Sequence, residues 1–172
     1  MKKHNGMRPQ DIVVLLKIAV KGGPNWLMKD LAHELGISAS EVSESLNRSK
    51  QAGLISSELI LMKRRVIEFL QYGLRYVYPA QVGSIVQGIP TSLSAPPLNK
   101  KIKSYEHYVW AYEEGKVRGQ SVEPLHPSAA KACLGDIKLY ELLALVDAVR
   151  MSRDRHVRRL ALSELEKRID NI

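Results

Sequence analysis

Apolar residues recur with the spacing of an α-helix near the start of the chain. The first stripe follows Pro9, a residue that suits the first turn of a helix, and it ends at Gly22. Trp26 comes just after this break, and we expect it to pack on the helix as an anchor. The members of the stripe are Ile12, Val13, Leu15, Leu16, Ala19 and Val20.

A second helix is predicted from about Met28 to Leu35. Leu27, Leu31 and Leu35 repeat at i, i+4 and i+8, so that one side of the helix is apolar. Gly36 then suits the left-handed conformation that closes a helix, and Ile37 is placed to fill the angle before the next element. The pattern predicts a tight turn between two short helices.

The next helix is predicted to start at Ser38, within an S-x-x-E capping box completed by Glu41. It ends at Gly53. The inward side is narrow and consists of Ala39, Val42, Ser45, Leu46 and Ser49. The outward side is polar and consists of Ser40, Ser43, Glu44, Asn47, Arg48, Lys50 and Gln51.

The run L-A-H-E-L-G-I-S-A-S-E-V-S-E-S-L-N-R, followed by A-G-L-I, resembles the winged helix-turn-helix regulators of bacteria, MarR-like in type. The resemblance covers roughly residues 9–60. It implies a dimeric repressor or activator that reads the DNA major groove with helix 38–52. Matching positions imply base and phosphate contacts from Ser38, Ser40, Ser43, Glu44, Asn47 and Arg48. Glu44 departs from the family pattern, in which an arginine or lysine is common, and could accept a hydrogen bond from cytosine.

The family pattern calls for a two-stranded wing after Leu54, but no strong hairpin turn occurs before Lys63. A short or missing wing is expected. A helix fits residues 62–76, with Val66, Phe69, Leu70 and Leu74 on one side. This helix begins with three basic residues, Lys63, Arg64 and Arg65. We predict that they contact DNA phosphate together with Lys50.

The rest of the chain has a different character. Residues 79–97 are rich in Gly, Pro and Ser but keep apolar positions, which favours an ordered arm. Residues 108–112 and 117–122 are rich in strand formers and predict a β-hairpin around Glu113 to Lys116. From Asp136 onward two amphipathic helices are expected. The apolar surface of the first is too broad for an exposed helix, so it either caps the middle segment or pairs with its copy in a homodimer.

The predicted fold class is therefore mainly α with a small β component, a winged helix-turn-helix domain plus a C-terminal α+β or helical extension. The predicted segments are a DNA-binding domain over 1–78, an arm and hairpin over 79–133, and a C-terminal helical segment over 134–172.

Composition narrows the function. The 172 residues carry a net charge of +8, which favours an anionic partner, and most of the excess lies in residues 61–120. Further basic runs lie at Lys100 to Lys103 and Arg153 to Arg159, although short runs of this kind are as often solvated surface. The five histidines show no zincin or deaminase spacing, and no nucleophile or phosphate-loop motif occurs. We therefore expect no enzyme, metal or cofactor.

The chain has a single cysteine, and it has no apolar segment long enough for an export signal or a membrane span. These features predict a cytoplasmic protein without a membrane partner. The expected partners are double-stranded DNA and a second copy of the chain, and a small-molecule effector or protein partner is left open. The alternative function is a helix-turn-helix that docks protein, as in an antitoxin-like or assembly factor, because a fold does not establish a function.

Overall fold

The computed structural model describes residues 6–171. The chain is mainly helical with a small sheet, as predicted. In chain order the elements are α1 (Pro9–Lys21), α2 (Met28–Leu35), α3 (Ala39–Gln51), α4 (Lys63–Tyr72), α5 (Leu74–Val77), β1 (Val82–Pro90), β2 (Tyr108–Ala111), β3 (Val117–Val122), α6 (Ala129–Cys133), α7 (Ile137–Met151) and α8 (Arg155–Asp170). The first five residues and Ile172, which belong to the predicted segments 1–78 and 134–172, lie outside the described residues.

Helix α1 begins at Pro9 and ends before Gly22, as the apolar stripe predicts. Every residue from Asp11 to Ala19 is buried, because other helices cover α1 on several sides. Trp26 is also buried in this core, which confirms its predicted role as an anchor.

Helix α7 is the other central element. Its residues from Leu142 to Arg150 are all buried, and α1, α5 and α8 pack on it. The broad apolar surface that favoured a homodimer is therefore covered inside the chain. The predicted pair of C-terminal helices is confirmed, and α7 and α8 are capped by Asp136 and Asp154.

The sheet differs from the predicted hairpin, which is wrong in its pairing. Strands β2 and β3 each pair antiparallel with β1, and they pair with one another in parallel, through Tyr108 with Gln120 and Val109 with Ser121. The three strands close into a small barrel. A Cβ atom on Gly88 would collide with the Trp110 carbonyl oxygen, and one on Gly115 would collide with Gly88. Gly88 in β1 and Gly115 before β3 are thus required by the close approach of these backbone segments.

A buried polar network joins this barrel to α7. The Asp147 carboxylate accepts hydrogen bonds from Thr91 Oγ1 at 2.8 Å, Trp110 Nε1 at 2.6 Å and Arg150 Nη1 at 2.7 Å. Arg150 also donates to the carbonyl oxygens of Tyr78 and Glu123. The arm of residues 79–97 is held in place by these contacts, although Val82 and Ile85 are exposed rather than packed as predicted.

A second ion-pair cluster joins α1, α2 and the start of α7. Buried Lys17 lies 2.6 Å from both Glu34 and Asp136, and Lys21 pairs with Glu34. Burial alone would raise the pKa of Glu34, but hydrogen bonds from Lys17 and Lys21 outweigh it and lower the pKa. One hydrophobic core includes residues from all three predicted segments, so they pack together as one body.

No helix among residues 6–171 combines the length and apolar character needed to cross a bilayer.

Candidate nucleic-acid interface

Helices α2 and α3 form the predicted helix pair, and the turn between them has the predicted geometry. Gly36 is left-handed at φ 65° and ψ 35°, and the Ile37 amide donates to the Ala32 carbonyl oxygen at 3.0 Å. Ser38 Oγ accepts from the Glu41 amide at 3.1 Å, and the Glu41 carboxylate accepts from the Ser38 amide at 2.8 Å. The capping box is confirmed. Its backbone and side-chain hydrogen bonds lower the pKa of Glu41, which keeps the carboxylate ionised.

The outward side of α3 matches the prediction except at Arg48. Glu44 and Lys50 are exposed and Ser43 is half-buried. Four of the predicted inward residues, Val42, Ser45, Leu46 and Ser49, are buried, whereas Ala39 is exposed and was wrongly placed. The exposed side chains of Ser40, Asn47 and Gln51 make no hydrogen bond to any residue between 6 and 171. These three amide and hydroxyl groups are therefore available to a ligand.

Arg48 corrects the sequence prediction, because its side chain is turned inward and is 8% exposed. Its guanidinium forms a two-point ion pair with Asp11, with Nε 2.8 Å and Nη2 2.7 Å from the two carboxylate oxygens. The hydrogen bond with Asp11 raises the pKa of Arg48 further above its usual range. Its third nitrogen, Nη1, is 3.5 Å from Glu44. Arg48 thus links α3 to α1 through this ion pair, and its side chain is not placed to contact DNA.

The sequence contains one signal for the ion pair between Arg48 and Asp11. Asp11 is an acidic residue in the first turn of α1, directly before an apolar run from Ile12 to Leu16, and it is 0% exposed. The Arg8 amide donates to the same carboxylate at 2.7 Å. A carboxylate buried at this position requires a cation, and Arg48 supplies it from 37 positions away.

No strand lies between α3 and α4, where the resemblance implies a wing and where a short or missing one was expected. Ile55 and Leu61 form one antiparallel bridge, and the Ser56 amide donates to the Ile60 carbonyl oxygen at 2.8 Å. Leu59 takes the left-handed conformation at φ 64°, which a glycine normally takes in such turns. The absence of glycine explains why no hairpin signal is visible here.

The three basic side chains at the start of α4 do not share one location: Arg65 contacts the end of α3, whereas Lys63 contacts α8. Arg64 and Arg65 are exposed, and Arg65 Nη1 donates to the Gly53 carbonyl oxygen at 3.0 Å. This contact places Arg65 at the C-terminal end of α3. Lys63 is half-buried and instead reaches the Asp170 carbonyl oxygen of α8 at 3.4 Å.

Residues 124–133 border the turn between α2 and α3, which sequence reasoning did not anticipate. Ser128 Cβ lies 4.0 Å from the position of a Cβ on Gly36, and Ser128 Oγ is 2.7 Å from His126 Nδ1. Burial lowers the pKa of His126, so its imidazole is neutral near pH 7. The segment supports the outer side of the turn.

The exposed surface of α3 carries more negative than positive charge. Its exposed ionised groups are the carboxylates of Glu41 and Glu44 and the ammonium group of Lys50, because the charge of Arg48 is paired internally. Exposed positive charge follows from α4, at Arg64 and Arg65. The interface therefore offers hydrogen-bonding groups on the helix and cations beside its C-terminal end.

No protein-family model matches the chain, and no curated protein or solved structure matches it at a significant level. The resemblance to MarR-like regulators therefore stays a prediction from the motif. Within residues 6–171, no group of three or more His, Cys, Asp or Glu side chains is arranged to hold a metal ion.

Proposed function

We propose that the protein is a transcriptional regulator that binds duplex DNA in a sequence-specific manner and reads the major groove with α3. The observation that carries this proposal is the line of unpaired polar side chains, Ser40, Asn47 and Gln51, on the exposed side of a firmly held helix. Amide side chains can form two hydrogen bonds with adenine, and a hydroxyl group can pair with any base edge.

The held position of α3 supports the same function. Base readout requires a helix whose register does not shift, and the capping box and the Asp11–Arg48 ion pair fix both ends of the inner side. Arg64, Arg65 and Lys50 are placed to contact phosphate beside the groove. With one bridge, the wing adds little reach, so most of the sequence information comes from the major groove.

The first prediction concerns the double variant Asn47→Ala with Gln51→Ala. We expect it to lose base discrimination, at about 1–3 kcal/mol for each good contact, while the fold is kept because both residues are exposed. Duplex sites are first selected from random DNA with the wild-type protein, and affinities are then measured by fluorescence anisotropy. The matched control is Gln81→Ala with Asn99→Ala, which removes the same two amides elsewhere on the surface. Unchanged affinity and preference in the first variant would overturn the proposal.

A second prediction concerns Glu44. Its carboxylate lies beside Arg48 on the outward side of α3. If Glu44 accepts from a cytosine amino group, Glu44→Gln changes the preference at one base pair while overall affinity holds or rises, since a negative charge near phosphate is removed. The check is a repeated selection with the variant. An identical selected site with a uniform gain in affinity would show that Glu44 makes no base contact.

A protein-docking role is the second candidate, and two observations favour it. The exposed carboxylates of Glu41 and Glu44 disfavour phosphate, and Leu27, Met28 and Ile60 are exposed apolar residues. Retention on duplex DNA with a steep decrease at higher salt separates the two functions, because neutralised phosphates release counterions. The homodimer stays a prediction, and the residues of α7 from Leu142 to Arg150 are buried within the chain and supply no surface for it.

A further inference from the structure

A surface groove lies between α4 and α8, away from α3. It has a volume of about 390 Å³, within the range of small-ligand sites. Its floor is apolar, with Ile67 from α4 and Leu160 and Leu162 from α8. Its rim is polar and is formed by Gln71, His156, Arg159, Ser163 and Glu166.

The groove is basic at the end formed by the start of α8. Arg159 lines the groove, and Arg155 lies one helical turn before it, next to the lining residue His156 in the chain. Both arginines are exposed, and their guanidinium groups pair with nothing among residues 6–171. Arg153 precedes them in the chain and is also exposed. The carboxylate of Asp154 is occupied in capping α8, where it accepts from the His156 amide at 2.7 Å. Glu166 is the acidic member of the rim and lies about two turns further along α8.

Two exposed aromatic rings follow the groove residue Gln71 in the chain, one at the end of α4 and one in α5. Tyr72 and Tyr76 are 67% and 75% exposed, so most of each ring faces solvent. Gly73 between the two helices keeps a right-handed helical conformation, so the two tyrosines are one turn apart on one side. The Arg75 guanidinium lies 5.3 Å from the centre of the Tyr76 ring.

We propose that this groove and the adjoining tyrosines bind single-stranded nucleic acid. Cations that follow a groove attract the phosphates, and exposed rings with an apolar floor accept unstacked bases. A duplex keeps its bases stacked inside and would use only the cations. The combination of unpaired arginines, exposed tyrosines and an apolar floor therefore favours a single strand.

The proposal is independent of DNA reading by α3. Lys63 at the start of α4 meets Asp170 near the end of α8, so the two helices run antiparallel. The basic start of α8 thus lies beside the far end of α4, at Gln71, whereas Arg65 at the near end contacts α3. One duplex contact and one single-strand contact can occur on the same molecule.

The test uses the full chain and fluorescence anisotropy with a labelled 12-nucleotide oligo-U RNA, an oligo-dT strand and a 12-base-pair duplex. We expect Arg155→Ala with Arg159→Ala, and separately Tyr72→Ala with Tyr76→Ala, to weaken single-strand binding about 10-fold or more. The control pair Lys116→Ala with Lys138→Ala removes the same charge as the arginine pair from other exposed sites and is expected to bind as the wild type does.

Three results would overturn the proposal: no single-strand binding by the wild type, an equal loss in the control pair, or tyrosine variants that bind normally while the arginine variant loses duplex and single strand alike. The last result identifies a general phosphate surface. The Asn47→Ala and Gln51→Ala variant is expected to retain single-strand binding, so failure of the α3 proposal is measured separately.

Discussion

Replacing Arg48 with alanine is expected to lower the free energy of unfolding by about 3–5 kcal/mol, because a buried carboxylate loses its only cation. Asp11 is fully buried, and Arg48 is its ion-pair partner among residues 6–171, with two nitrogen–oxygen contacts of 2.8 and 2.7 Å. The Arg8 amide satisfies one oxygen but does not neutralise the charge. Urea unfolding followed by circular dichroism measures the effect.

The neighbouring residue provides the control. Asn47→Ala removes an exposed side chain one position away and is expected to change stability by no more than about 0.5 kcal/mol. An Arg48→Ala protein that unfolds like the wild type but no longer binds DNA would contradict a stabilising role for the Asp11–Arg48 ion pair. It would favour the DNA contact that the MarR-like resemblance implies for Arg48.

Replacing Asp147 with asparagine is expected to be similarly destabilising, at about 3–5 kcal/mol, because it leaves the Arg150 guanidinium buried without a counter-charge. The Asp147 side chain is 2% exposed and also accepts from Thr91 and Trp110. An asparagine amide of the same shape retains one oxygen acceptor but places a donor where donors already point.

Trp110 provides a local probe for this variant. Its Nε1 donates to Asp147 at 2.6 Å and its ring meets Tyr140 edge-on at 5.9 Å. Asp147→Asn is therefore expected to change tryptophan fluorescence as well as the urea midpoint, whereas the exposed control Asp170→Asn is expected to change neither. Wild-type stability of Asp147→Asn would show that the network does not hold the arm to α7.

The helices could be predicted because their signals are local. The apolar repeat of α2, the left-handed Gly36 and the Ser38–Glu41 box each act within a few residues. The glycine and the box are found where the sequence places them. Leu31 and Leu35 are buried as predicted, but Leu27 precedes the helix and is 55% exposed. The helix predicted over 62–76 is present as α4 and α5 with a single junction at Gly73.

The sheet and the ion pairs could not be predicted in the same way. Whether β2 and β3 pair with each other or with β1 depends on a strand that contains two glycines and ends in a proline, a pattern that disfavours a strand. Arg48, the ion-pair partner of Asp11, lies 37 positions away. Asp147 pairs with the nearby Arg150, but Thr91, which donates a hydrogen bond to it, lies 56 positions away. An outward helical position for Arg48 was reasonable from spacing, but a long side chain can cross from the edge of a helix into the core.

The burial of α7 against α1 has a consequence for engineering. A fragment that ends after α5 would expose to water the apolar side of α1 that α7 covers, and would lose the Asp136 partner of Lys17. Helices α2 and α3 therefore cannot be moved to another protein as an independently folding unit. Under the proposed function, a new DNA specificity has to be obtained by changing side chains on α3 within the intact chain, because exchanging the whole N-terminal segment would remove about one half of the core.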